Sequence, residues 1–211
     1  MASFIVALTG ASGAIYGIRL VEELLKKGDD VDLIVSPAGL LVLREELSFE
    51  VKDNNAGAGL KAFLERRRGY NPRNKKAPVL KGRLTYHPSD DLTSAAASGS
   101  TLKKTMIVCP CSMGTLGRIA SGASTGLIER AADCVLKERG QLVLVPRETP
   151  LNAIHLENML KLSCAGAVIL PAMPAFYTKP ASVDEMVDFI VGKILDMIGV
   201  ENTLYKRWKK P

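Results

Sequence analysis

Five stretches of this chain carry side chains suited to holding an anion and moving a proton. They are Thr9-Gly10-Ala11-Ser12-Gly13-Ala14, Ser36, Pro110-Cys111-Ser112-Met113-Gly114-Thr115, Pro146-Arg147-Glu148-Thr149-Pro150 and Pro171-Ala172-Met173-Pro174-Ala175-Phe176-Tyr177. Each follows a short apolar run. Small residues let backbone amides approach a phosphate, hydroxyls add donors, and the positive end of a following helix favours negative charge. Turns of this kind converging on one sheet edge point to a phosphate-bearing cofactor; the competing reading is that they are good turns and helix caps. The first turn is not a dinucleotide fingerprint. Gly10-Ala11-Ser12-Gly13 lacks the third glycine, and Val35 is followed by Ser36 where a ribose-binding acid would stand. A mononucleotide is therefore favoured over NAD.

Arg147-Glu148 is the sharpest pair. An arginine and a carboxylate at a strand end, between two prolines, fit a phosphate clamp beside a proton carrier, although a surface ion pair at a helix start would look the same. Arg130 and Lys137 lie seven apart on one predicted helix and could reach one anion, or form a solvated stripe. His155 reads as a packing or capping residue. Tyr177 could bond a ligand or pack on the core.

The elements that must position these groups are legible as alternating strands and helices. Apolar runs at Phe4–Leu8, Val31–Val35, Thr105–Cys109, Leu142–Pro146 and Ala167–Pro171 read as buried strands. Helical spacing marks Ile15–Lys27, Leu40–Glu46 capped by Ser36, Gly114–Ala120, Leu127–Arg139, His155–Ser163 and Val183–Ile198. Near-continuous apolar strands separated by helices predict an α/β fold, a Rossmann-like or flavodoxin-like parallel sheet with helices on both faces. Ligands of such sheets sit beyond the carboxyl ends of the strands, where the five stretches fall. Residues 51–100 are the least readable part, with weak helical periodicity at Leu60–Arg67.

Length and composition fit one soluble domain spanning residues 1–211, with a basic variable segment at about 52–90 and a tail at about 200–211. The net charge of +6 is concentrated in eight Lys or Arg between Arg66 and Arg83 and in Lys206, Arg207, Lys209 and Lys210; elsewhere acids exceed bases, 22 to 16. No interleaved aromatics or binding module accompany the basic runs, so a solvated loop and tail is favoured over a nucleic-acid face. The spacing of Cys109, Cys111, Cys134 and Cys164 does not suit a zinc site, and buried free thiols in a reducing compartment are expected. With no apolar run of membrane-spanning length, the expectation is a cytoplasmic protein without membrane association.

The motifs taken together resemble the UbiX family of flavin prenyltransferases. The resemblance is carried by Thr9 to Gly17, Cys109 to Leu116, Glu129 to Asp133 with Leu136 to Arg139, Val145 to Leu151, His155 to Met159 and Pro171 to Tyr177. It implies an oligomer, a dodecamer, with FMN at subunit contacts and no metal. It places Gly10, Ala11, Ser12, Ser36, Ser112, Met113, Gly114, Thr115 and Arg147 on FMN, and Glu46, Arg130, Lys137, Glu148, Tyr177 and Lys193 around dimethylallyl phosphate. Ser12, Glu46, Lys137 and Glu148 would serve catalysis, and Trp208 would cover the site. The implied reaction joins a dimethylallyl group to N5 and C6 of reduced FMN for use by a UbiD-type decarboxylase. Lys193 stands where the family often has arginine, which keeps the charge but not a bidentate grip.

Two other functions fit parts of the sequence. A flavin-dependent cysteine decarboxylase would carry a histidine after the second strand and an asparagine-containing turn in place of Cys111-Ser112-Met113-Gly114-Thr115; neither His87 nor His155 is so placed, and the later turn Pro171-Ala172-Met173-Pro174 has no asparagine either. A non-catalytic flavin-binding subunit would not need Arg147, Glu148, Lys137 and Tyr177 all present.

Overall fold

The computed structural model describes residues 2–49, 56–67, 80–98 and 105–208. Six parallel strands form one sheet in the order β3-β2-β1-β4-β5-β6: β1 (Ser3–Leu8), β2 (Asp30–Val35), β3 (Leu84–Pro88), β4 (Thr105–Cys111), β5 (Gln141–Pro146) and β6 (Val168–Ile169). This is the doubly wound Rossmann order; without the edge strand β3, the remaining five run in the flavodoxin order. The order reverses between β1 and β4, so a ligand crevice is expected beyond their carboxyl ends.

The helices are α1 (Ala14–Lys27), α2 (Pro37–Leu47), α3 (Ala56–Arg67), α4 (Met113–Ser121), α5 (Leu127–Lys137), α6 (Ala153–Cys164) and α7 (Val183–Met197). Alternation along the strands divides the core. Val6, Leu8, Leu33 and Val145 face Ile18, Leu24 and Ile190 on the side of α1 and α7, whereas Ile5, Ala7, Met106 and Leu144 face Leu116, Ala131 and Leu162 on the side of α4, α5 and α6. Burial on both faces is why the strands read as unbroken apolar runs. Helix α1 lies so close to β4 that a Cβ on Gly17 would stand 2.2 Å from the Cys109 carbonyl oxygen.

The stretch least readable in the sequence contains β3, which pairs with β2 from Val31↔Leu84 to Val35↔Pro88. One expectation is corrected. Cys164, expected to be buried, is exposed at the end of α6, whereas Cys109, Cys111 and Cys134 are buried. Of the basic loop, Arg68, Arg73, Lys75 and Lys76 lie outside the described residues, as do Lys209 and Lys210 of the tail.

The tail folds back on α7. Asp196 accepts from Tyr205 Oη at 2.6 Å and from both terminal nitrogens of Arg207 at 2.7 and 2.8 Å, and Asn202 Nδ2 donates to the Gly192 carbonyl at 3.1 Å. The Tyr205 ring occupies the space that a Cβ on Gly192 would need, 2.4 Å away.

Candidate functional site

The turn after β1 is built on a buried hydroxyl. Thr9 Oγ1 donates to the Pro110 carbonyl at 2.7 Å and accepts from the Ser112 amide at 2.8 Å, which ties together the carboxyl ends of β1 and β4. Gly10 then passes against α2, where a Cβ would meet that of Ala38 at 2.6 Å, and Gly13 takes a left-handed φ of 102°. Both positions explain why small residues follow β1. The peptide bonds before Pro110 and Pro150 are cis.

Ser36 and Ser112 cap α2 and α4. Ser36 Oγ accepts from the Gly39 amide at 3.0 Å, and Ser112 Oγ accepts from the Thr115 amide at 3.3 Å while donating to Thr115 Oγ1 at 3.1 Å. Met113 and Gly114 form the first turn of α4 between them. Beside Ser36 lies a cleft of about 410 Å³ whose walls also include Asp90, Arg118, Thr125 and Glu129. Arg118 Nε donates to Glu129 Oε1 at 2.7 Å, and Nη2 donates to Thr115 Oγ1 at 3.0 Å. Sequence reasoning missed Arg118. The pair is eleven residues apart across a turn, so no helical spacing announces it.

Arg147 and Glu148 do not pair with each other. Arg147 Nε donates to the Ser12 carbonyl at 2.9 Å, and Glu148 Oε1 accepts from the Thr149 amide at 3.0 Å, with the carboxylate in solvent. Glu46 reaches back from the last turn of α2 to the start of α1. Its carboxylate accepts from the amides of Gly13 and Ala14 at 2.9–3.0 Å, an anion on the positive end of a helix. Arg147 and Glu46 therefore both bond the turn that carries Gly10, Ala11 and Ser12, and Glu148 follows Arg147 in the chain.

The remaining expected residues stand apart in this chain. Arg130, near the start of α5, pairs with Asp133 at 3.6 Å, and Lys137, at its end, with Glu138 at 2.9 Å. Seven residues of helix separate them by roughly 10 Å. Lys137 lies at the amino edge, just before β5, and Arg147 at the far end of that six-residue strand, roughly 20 Å away. Tyr177 packs edge-on against Phe189 of α7 at 5.9 Å and against Trp208 at 5.0 Å. Tyr177 and Trp208 line a cleft of about 770 Å³ with Asn202, Tyr205 and Arg207. Lys193, exposed, follows Phe189 by one turn. Among the described residues no hydrogen bond or ion pair joins the Arg147 crevice to Arg130, Lys137, Tyr177 or Lys193.

Neither histidine is placed at the crevice. His155 forms a capping box with Asn152 at the start of α6. His87 on β3 bonds Asp32 through Nε2 and Ser94 through Nδ1, both at 2.8 Å. Burial raises the thiol pKa of Cys109 and pushes Cys111 up to about 12, so neither is a ready nucleophile. Among the described residues no cluster of three His, Cys, Asp or Glu could hold a metal ion, and no helix is long and apolar enough to cross a membrane.

Comparison with known proteins adds to this geometry. Residues 2–195 match the family described as Flavoprotein. The chain is 50% identical over 205 residues to a flavin prenyltransferase UbiX of Halalkalibacterium halodurans, covering 97% of this chain and 92% of that one. A solved UbiX protein in complex with FMN and dimethylallyl pyrophosphate superposes with a TM-score of 0.82 at 36% identity, covering 99% of this chain and 98% of the other. A dodecameric FMN-dependent UbiX-like decarboxylase from Escherichia coli O157:H7 gives 0.80 at 37% identity, covering 99% and 100%. The peptidyl-cysteine decarboxylase EpiD, 15% identical over 84% of this chain and 90% of that one with a TM-score of 0.53, shares the fold alone.

Proposed function

Because the chain belongs to the flavoprotein family and, within it, to the UbiX flavin prenyltransferases, we propose that it transfers the dimethylallyl group of dimethylallyl phosphate to N5 and C6 of reduced FMN. The product, prenylated FMN, would pass to a UbiD-type decarboxylase. The observation that supports the reading is the bond from Arg147 to the Ser12 carbonyl, which holds a guanidinium against the turn after β1, beside the point where the strand order reverses.

Reduced FMN supplies the nucleophilic nitrogen of the reaction. This chain's residues bind, orient and move protons. Gly10, Ala11, Ser12, Ser36, Ser112, Met113, Gly114, Thr115 and Arg147 hold the flavin, and the capped starts of α2 and α4 suit an anionic ligand. Glu148, free in solvent apart from its bond to the Thr149 amide, protonates the departing phosphate oxygen. Ser12 relays a proton beside the flavin, and Glu46 fixes the turn that presents Ser12.

Arg130, Lys137, Tyr177 and Lys193 bind the phosphate of dimethylallyl phosphate, with cationic side chains rather than a metal meeting its charge. Because α5 and α7 hold these residues away from the Arg147 crevice, the complete site forms where copies of the chain meet, in a dodecamer. Residues 1–211 act as one domain in the cytoplasm, with Trp208 over the allyl group.

The test is anaerobic incubation of purified protein with reduced FMN and dimethylallyl phosphate, followed by mass spectrometry of the released flavin. A gain of one dimethylallyl unit, lost in Glu148→Gln, is expected. FMN that binds but is never modified would move the reading to a flavin-binding partner subunit.

A further inference from the structure

We infer that Arg118 binds the phosphate of FMN and that Glu129 holds it in position for that contact. The inference rests on FMN being the bound flavin. Glu129 is 6% exposed, and its carboxylate takes the Nε hydrogen of Arg118 at 2.7 Å. A carboxylate so buried requires a partner of this kind. Attachment through Nε turns the two terminal nitrogens elsewhere. Nη2 donates to Thr115 Oγ1 at 3.0 Å, while Nη1 lies over Gly114, 3.5 Å from where a Cβ would stand. Among the described residues Nη1 has no acceptor. A side chain held by Nε, with its terminal donors at a cleft, is prepared for a phosphate oxygen.

The cleft at Arg118 offers donors beside the guanidinium. Its walls include the hydroxyls of Ser36, Ser89 and Thr125, which can donate to a phosphate oxygen, together with the Asp90 carboxylate and the apolar Pro37 and Ile128. Helices α2 and α5 both start on this cleft. The contact also extends inward: Arg118 bonds Thr115, Thr115 bonds Ser112, and the Ser112 amide bonds Thr9 at the end of β1. Arg118 is thus attached to the turn that carries four expected flavin contacts.

The inference is tested by titrating apo-protein with FMN and, separately, with riboflavin, which lacks the phosphate, following flavin fluorescence for the wild type, Arg118→Ala, Arg118→Lys and Glu129→Gln. Loss of a charge-assisted contact should weaken FMN binding by about 10- to 100-fold in Arg118→Ala while riboflavin changes by less than about twofold. Arg118→Lys should recover part of the loss, and Glu129→Gln should show a smaller loss with the same preference. Equal weakening for both flavins would overturn the inference in favour of a structural role, and unchanged FMN affinity would overturn it outright. If Arg118→Ala does not fold, as judged by circular dichroism, the same comparison is read from Arg118→Lys. A wild-type protein that binds neither flavin would overturn the FMN reading and this inference together.

Discussion

The Glu46 carboxylate accepts both the Gly13 and the Ala14 amide hydrogens, so the last turn of α2 closes the open end of α1. A helix start left without partners exposes unsatisfied donors, and here a side chain from another helix meets that need. Glu46→Ala removes two charge-assisted bonds at an exposed position, a loss of about 1–2 kcal/mol. For a chain of this size that lowers the melting temperature by roughly 2–8 °C. Glu46→Gln, whose amide oxygen still accepts, should lose less. Thermal unfolding followed by circular dichroism checks both, and equal melting temperatures for wild type and Glu46→Ala would show that the closure contributes nothing.

Arg147 and Glu148 are neighbours with separate work. The arginine is bound to the Ser12 carbonyl and the glutamate to its own neighbour's amide, so their substitutions should separate in the kinetics. Glu148→Gln keeps the shape and removes the transferable proton, and should lower kcat by about 10²- to 10⁴-fold with FMN affinity unchanged. Arg147→Ala should weaken FMN binding first. Single-turnover rates and flavin titrations on the two variants distinguish these outcomes.

Much of this arrangement could be read before any coordinates, because β1, β2, β4 and β5 are buried on both faces and so appear as apolar runs bounded by turn residues. β3 could not. Leu84-Thr85-Tyr86-His87-Pro88 is partly exposed along an edge, contains a proline, and owes its place to pairing with β2 and to the His87–Asp32 bond, which are long-range. The turn residues of the crevice were legible by chemical type. The reach of Glu46 back to α1 was not, since it depends on how α2 packs. Arg118 escaped notice because its partner Glu129 is buried by tertiary contacts that no local pattern signals. Cys164 was misplaced because an apolar helical pattern does not say which face is covered.

Burial drives a pH effect at Glu22. Its side chain is 2% exposed on α1, and desolvation raises its pKa to about 7, against the opposing pull of Arg67, Arg19 and Lys26. The folded state therefore holds a proton that the unfolded state releases near pH 4.5. The stability contributed by this group is full below that value and is lost as pH rises towards 7. Glu22→Gln, which stays neutral, should flatten this part of the curve. Melting temperatures at pH 5 and pH 8 check it: the wild type should fall relative to the variant on going to pH 8, and parallel curves would show that Glu22 titrates normally.

The docking of the tail is set by Asp196 in the opposite sense. Its hydrogen bond to Arg207 holds the carboxyl below the usual 3.8, with Tyr205 and Asn202 adding to the effect against some desolvation. A depressed acid contributes stability that is present above the unfolded value and lost as pH falls through the folded one, so the tail should release only below about pH 4. The chain has one tryptophan, Trp208, and its edge contact with Tyr177 depends on this docking. Its emission should shift to the red between pH 4 and pH 2 while the far-ultraviolet dichroism of the sheet and helices persists. Asp196→Asn keeps an acceptor but loses the ion pair, and should show the shifted emission at neutral pH. An emission spectrum insensitive to both acid and Asp196→Asn would mean that the Arg207 and Tyr205 contacts do not hold the indole against Tyr177.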